Sequence, residues 1–225
     1  MIDLKAVIFD LDGTLIDSMG IWVKVDVKYL SRRNIPVTPD LFKDVPAGNS
    51  FHELAHYVKD KFDLPDTIEE ICHEWTEMVR DHYENDIKLK VGVLELITYL
   101  KEHEIEMAIG TSNSELLTES VLRSNKIRDF FRYVISGDQD LRGKPFPDIF
   151  LKAAAALKIK PENCLVLEDT LAGAKAAVAA GMKVICVQDE DSKKEWQEIE
   201  KIAIFSAKEI IDIGNFIKII MRCGK

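Results

Sequence analysis

Two aspartates, Asp10 and Asp12, stand one residue apart at the end of the apolar run Ala6-Val7-Ile8-Phe9 and are followed by Gly13-Thr14. On an extended chain residues i and i+2 point to the same side, so these carboxylates can converge on one ligand. Like charges on one face repel unless a cation lies between them or one group keeps a proton. Both arrangements suit phosphoryl transfer. A hard cation such as Mg²⁺ takes oxygen ligands and offsets the charge, and a protonated carboxyl can act as a general acid. Gly13 lets the backbone turn and approach closely. A second acidic pair, Glu168-Asp169, ends the apolar run Leu165-Val166-Leu167. An acidic site alone would repel phosphate, so donors and a counter-charge are needed. Thr111-Ser112 offers hydroxyl and amide donors at the start of a helix. Lys144, within Gly143-Lys144-Pro145-Phe146-Pro147, offers a positive point charge.

These residues need a scaffold that brings distant segments together. Short apolar runs predict strands at Ala6–Phe9, Met107–Gly110, Tyr133–Ile135, Leu165–Leu167, Val184–Val187 and Ile202–Phe205. Helical stretches fall between them at Leu94–His103, Glu115–Lys126, Pro147–Leu157 and Leu171–Ala180, the last closed by Gly181. This alternation predicts an α/β fold with a doubly wound, mainly parallel, Rossmann-like sheet. The C-terminal strand ends of such a sheet share one crevice, where Glu168-Asp169 can meet Asp10. From residue 18 to 85 the pattern breaks into helical periods at Ile21–Leu30, Phe51–Lys61 and Ile68–Tyr83, punctuated by Pro36, Pro39, Pro46 and Pro65. Residues 1–17 and 86–225 are therefore expected to form an α/β core and 18–85 an inserted all-helical cap, or lid. Hinges are expected near Leu15–Ser18 and Asn85–Lys90. The stripe Ile21, Trp22, Val25, Tyr29 and Leu30 reads as core, with Trp22 also a candidate substrate contact because its helix follows the active loop. Ile210–Met221 reads as a packed final helix, with a dimer contact as the alternative.

A net charge of −9 argues against a broad nucleic-acid or anionic-membrane footprint. No apolar run approaches the roughly 18 residues of a membrane span, and no secretory signal pattern opens the chain. The four cysteines show no CxxC spacing, and Cys164 and Cys186 lie beside strand-like runs as small hydrophobes. The expectation is a cytoplasmic protein, monomeric or homodimeric, acting on a small phosphate ester and binding neither nucleic acid nor membrane. His52-Glu53-Leu54-Ala55-His56 spells a zinc-protease motif. A third histidine is missing, since Lys59 and Phe62 hold the matching positions, so the segment reads as a polar helix with Leu54 and Ala55 inward.

The order Asp10-Leu11-Asp12-Gly13-Thr14, Thr111, Lys144, Glu168-Asp169 resembles the four motifs of the haloacid dehalogenase superfamily over nearly the whole chain. Lys144-Pro145-Phe146-Pro147-Asp148 and Leu167-Glu168-Asp169-Thr170 resemble its phosphatase and β-phosphoglucomutase branch. The resemblance implies that Asp10 is the nucleophile of an aspartyl-phosphate intermediate and Asp12 the acid/base. It implies Mg²⁺ held by Asp10, Asp169 and the main-chain carbonyl of Asp12, with Glu168 close by. Thr111, the Ser112 amide and Lys144 would hold the transferring phosphoryl group. An aspartate at position 12 argues against the dehalogenase branch itself. A mutase of this family uses a cap arginine after a glycine, but Ala47-Gly48-Asn49-Ser50-Phe51 has none. The expectation is hydrolysis of a sugar phosphate or similar metabolite, with Asn49 a candidate substrate contact. A β-phosphoglucomutase-like isomerase is the alternative, and a non-catalytic regulatory protein comes last because every expected catalytic side chain is present.

Overall fold

A computed structural model describes residues 3–37, 51–190 and 192–223. Its strands are β1 (Ala6–Phe9), β2 (Glu106–Gly110), β3 (Tyr133–Ile135), β4 (Cys164–Glu168), β5 (Lys183–Val187) and β6 (Phe205–Ala207). They form one sheet in the order β3-β2-β1-β4-β5-β6, and every pairing is parallel. From β1 the chain steps outward through β2 and β3, then returns to lay β4 on the other side of β1. The order reverses between β1 and β4, which is where a doubly wound sheet opens a crevice at its C-terminal edge.

Strand residues alternate between two buried faces. Val7, Phe9, Met107, Ile109, Leu165 and Leu167 enter one core; Ala6, Ile8, Ala108, Cys164, Val166 and Cys186 enter the other. Burial on both faces is why these strands read as continuous apolar runs. The helices are α1 (Met19–Ser31), α2 (Phe51–Phe62), α3 (Ile68–Asp81), α4 (Val93–Glu102), α5 (Glu115–Ser124), α6 (Asp148–Leu157), α7 (Leu171–Ala179), α8 (Trp196–Ile202) and α9 (Ile210–Cys223). The first face is covered by α4, α5 and α9, the second by α6, α7 and α8. Gly181, at φ +76°, closes α7 as expected.

One strand departs from the sequence expectation. The run Ile202–Phe205 was expected to be the sixth strand, but β6 begins only at Phe205 and Ile202 is the last residue of α8. Ile199 and Ile202 lie three apart and pack on the second core as a helical pair. Ala203 then turns extended, and Ile204 N–H donates to the Val184 carbonyl at 2.9 Å. A short apolar run cannot by itself distinguish a helix end from a strand.

Between β1 and α4 the described residues hold no strand, only α1, α2, α3 and a π-helical turn over His82–Asp86. A reciprocal pair starts α3: Thr67 Oγ1 accepts from the Glu70 amide, and Glu70 Oε2 accepts from the Thr67 amide. Its buried face carries Ile71, Trp75 and Val79. Trp75 meets the Tyr29 ring edge-on at 5.6 Å. The Arg33 guanidinium lies 3.8 Å from the centre of the Tyr29 ring and pairs with Asp66 and Glu74 at 2.7 Å each. Val25, Tyr29 and Leu30 are buried, while Ile21 and Trp22 pack against them half-buried. The two chain crossings pair with each other: Ile16 bridges Leu89 in antiparallel fashion, and Lys90 N–H donates to the Leu15 carbonyl at 2.9 Å.

Asp26, on α1, loses water on folding, and burial pushes its carboxyl up from 3.8 to about 7. The folded chain then holds a proton there that the unfolded chain has released. The stability this group contributes is complete below pH 3.8 and is lost as the pH rises through about 7. Asp26→Asn removes that titration. Thermal melts should show the variant about 3 °C or more above wild type at pH 8, with the gap closing by pH 4.

Candidate active site

The site assembles where β1, β2 and β4 end. Asp10 N–H donates to the Leu167 carbonyl at 2.9 Å, which places the Asp10 side chain level with the end of β4. There Asp10, Glu168 and Asp169 form a buried group whose carboxylate oxygens lie within 4.8 Å of one another. Lys144, itself buried, reaches between them: Nζ donates to Asp10 Oδ1 at 2.5 Å and to Glu168 Oε1 at 2.6 Å. Burial pushes the Asp10 carboxyl up to about 7 although Lys144 pulls it down. Burial, with Glu168 and Asp10 alongside, raises Asp169 well above the usual carboxylate range. Burial works against the Lys144 charge, but Asp10 and Glu168 outweigh it and hold the ammonium above its ordinary value.

Each acid has its own support. Asp169 Oδ1 accepts from Thr14 Oγ1 at 2.8 Å. A Cβ on Gly13, whose φ is +78°, would lie 2.3 Å from Asp169 Oδ2, so only glycine permits this approach. Glu168 Oε2 accepts from the Asp169 amide (2.8 Å), the Thr170 amide (2.6 Å) and Thr170 Oγ1 (2.9 Å). The Glu168 carboxylate therefore sits on the two amides that lead into α7, beside a helix start whose dipole favours negative charge. It joins that helix start to Lys144.

Three buried carboxylates face one buried ammonium. The remaining negative charge and the all-oxygen donor set fit a hard divalent cation. Asp10 and Asp169 are the side chains best placed to hold it, because Glu168 is already engaged on both oxygens.

Asp12 has other partners. Its Oδ1 accepts from Ser18 Oγ at 2.6 Å and from the Tyr83 hydroxyl, and its Oδ2 accepts from Asn113 Nδ2 at 2.8 Å. The carboxylate is not part of the buried acid group among the described residues. Thr111 is buried at the end of β2; its amide donates to the Ile135 carbonyl and its hydroxyl accepts from the Asn113 amide at 3.1 Å. Ser112 lines a small recess with Ser136, Gly143 and Lys144. Trp22 reaches the site through a hydrogen bond from Nε1 to Tyr83 Oη at 2.9 Å. Asn49 lies outside the described residues.

The structure thus gathers Asp10, Lys144, Glu168 and Asp169 in direct contact, with Thr111 and Ser112 at the neighbouring strand end. It adds residues the sequence did not single out: Thr14, Ser18, Tyr83, Lys90 and Asn113. Lys90 Nζ donates to the Gly13 carbonyl and to Asp189 Oδ2, pinning the active loop to the segment after β5. Asn113 directly follows Thr111-Ser112, a signal available in the sequence; Tyr83 offered only its place near the second crossing. His52 and His56 are exposed on α2, and neither joins a group of potential metal ligands among the described residues. Glu53, between them, accepts from the Gly143 amide at 3.2 Å, next to Lys144.

Known proteins are similar to this chain in sequence and in fold. A bifunctional riboflavin kinase/FMN phosphatase of Arabidopsis thaliana is 32% identical over 192 residues, which are 81% of this chain and 48% of that one. The chain therefore spans about half the length of that relative. A phosphorylated carbohydrates phosphatase of Thermotoga maritima is 27% identical over 212 residues, covering 93% of this chain and 98% of the relative. A crystal structure of a CbbY variant from Rhodobacter sphaeroides in complex with xylulose-1,5-bisphosphate superposes with a TM-score of 0.82 at 25% identity, covering 95% of this chain and 97% of that one. The family model for haloacid dehalogenase-like hydrolases matches residues 7–187, a span that runs from β1 through β5 and takes in every acid of the site. The chain belongs to the haloacid dehalogenase-like hydrolase family.

Proposed function

We propose that the chain is a Mg²⁺-dependent phosphatase that cleaves a small phosphorylated metabolite, a sugar phosphate above all, through an aspartyl-phosphate on Asp10. The observation that carries this reading is the buried Asp10–Lys144 contact beside Asp169. It sets a nucleophilic carboxylate against a fixed positive charge that can receive the oxygens of the incoming phosphoryl group. The near-full-length match to a phosphorylated carbohydrates phosphatase supports the substrate class.

In this reading a carboxylate oxygen of Asp10 attacks phosphorus, and the bond from phosphorus to the ester oxygen breaks. Asp12 gives a proton to the departing alkoxide, then takes one from the water that attacks the aspartyl-phosphate. Inorganic phosphate leaves and Asp10 is regenerated. Lys144, the Thr111 hydroxyl and the Ser112 amide hold the phosphoryl oxygens throughout. When bound by Asp10, Asp169 and the Asp12 main-chain carbonyl, with Glu168 behind them, Mg²⁺ supplies further neutralisation of phosphoryl charge. Residues 18–85 act as the lid over a core of 1–17 and 86–225, excluding water and selecting the ester. No described helix is long and apolar enough to cross a membrane, and the same reading places the protein in the cytoplasm with a small-molecule substrate.

A panel of sugar phosphates, assayed for released phosphate, tests the proposal. At least one ester should be hydrolysed, EDTA should abolish the activity, and Mg²⁺ should restore it. Activity that survives EDTA would remove the metal from the scheme. Conversion of β-glucose 1-phosphate to glucose 6-phosphate without phosphate release would replace hydrolysis by isomerisation.

A further inference from the structure

The Asp12 carboxylate is held by side chains from three separate places: Ser18 at the start of α1, Tyr83 on the π-helical turn and Asn113 before α5. Trp22, also on α1, bonds to Tyr83. Tyr83 is the hub. It is fully buried, and its oxygen accepts from Trp22 Nε1 and from Asn113 Nδ2, each at 2.9 Å. With both acceptor positions of the phenol oxygen taken, its one hydrogen can only be given away, and Asp12 Oδ1 is the partner that receives it. Ser18 Oγ points at the same oxygen. Oδ1 is thereby committed as an acceptor from two hydroxyls, while Oδ2 accepts from Asn113 Nδ2 at 2.8 Å.

The backbone explains how a tyrosine at the end of a long helix reaches this point. After α3 the chain widens into a π-helical turn, with Ile87 N–H donating to the His82 carbonyl at 3.0 Å. Such turns shift the side chains that follow and recur at functional sites. Ser124 Oγ donates to the Tyr83 carbonyl at 3.2 Å, tying the turn to the sheet's α5.

We infer that Tyr83 is a positioning residue for Asp12: its hydroxyl, together with Ser18, fixes the orientation of the carboxylate that the phosphatase reading uses as acid and base. The inference rests on the phosphatase reading above. It assigns Trp22 and Asn113 the supporting task of orienting the Tyr83 hydroxyl.

The test is a leaving-group comparison on the full chain with Mg²⁺. The value of kcat/KM reports on phosphoryl transfer to Asp10, when the ester bond breaks. An alkoxide cannot leave without a proton, whereas p-nitrophenolate can. Tyr83→Phe should lower kcat/KM for an alkyl phosphate such as a hydrolysed sugar phosphate by roughly a hundredfold. The loss for p-nitrophenyl phosphate should be at least about tenfold smaller. Trp22→Phe, which removes the donor to Tyr83, should show the same selectivity with a smaller loss, and it decides the matter should Tyr83→Phe not fold. Equal losses on both esters, or no loss on either, overturn the inference and leave the phosphatase reading standing. Failure of the wild-type chain to hydrolyse either ester overturns both.

Discussion

Asp10→Asn should reduce phosphate release by at least about 10⁴-fold, because the amide is a poor nucleophile and no neighbouring group can replace it. The same variant should be no less stable than wild type when both are melted in EDTA. Asp10 is one of three buried carboxylates within 4.8 Å of one another, and removing one charge relieves repulsion while Glu168 still holds Lys144 at 2.6 Å. Dead activity with an unchanged or raised melting temperature is the signature of a residue present for chemistry at a cost to stability. Turnover close to wild type would remove Asp10 as the nucleophile.

Lys144→Met should also abolish activity, but with the opposite effect on stability. The side chain is similar in length and lacks the charge, so Asp10 and Glu168 are left buried without their shared ammonium. Removing one partner of a buried ion pair costs about 3–5 kcal/mol, or about 10 °C in melting temperature for a chain of this size. Added Mg²⁺ should recover part of that loss by supplying positive charge to the same oxygens. Thermal melts in EDTA and in Mg²⁺, run beside the Asp10→Asn variant, check both signs. A Lys144→Met protein as stable as wild type in EDTA would show that the ammonium is not what balances the acids.

The two variants probe the part of the site that was legible in the sequence. Asp10, Thr111, Lys144, Glu168 and Asp169 were visible because each stands at or near the end of an apolar run or in a proline-bounded loop, and a parallel sheet delivers such ends to one edge. Strands β1, β2, β4 and β5 were legible for a related reason, since burial on both faces leaves an unbroken apolar signature. The sixth was obscured because Ile199 and Ile202 serve a helix that the charged stretch before them did not announce. The side chain of Asp12 was harder to place. The i, i+2 rule holds only while the chain stays extended, and β1 ends at Phe9. Beyond it the backbone turns, with the Leu15 and Ile16 amides both donating to the Leu11 carbonyl, and Asp12 faces partners of its own. Those partners lie far away in the chain: Tyr83 is 71 positions from Asp12 and Asn113 is 101. No local period or turn signal encodes contacts of that range; only the assembled fold does.

The paired crossings have a mechanical consequence. Two independent linkers would let the helical segment swivel, slide and tilt over the sheet. Here Ile16 and Leu89 are bridged, and Lys90 is bonded both to Leu15 and to the carbonyl of Gly13. The linkers become a narrow ribbon, which bends easily out of its plane and resists shear within it. For the lid proposed above, one soft rotation would remain where there would otherwise be several. Ser18 and Tyr83 lie just beyond the two arms of that ribbon, so any such rotation carries both donors of Asp12 Oδ1 together, and the acid gains or loses its anchors as a set.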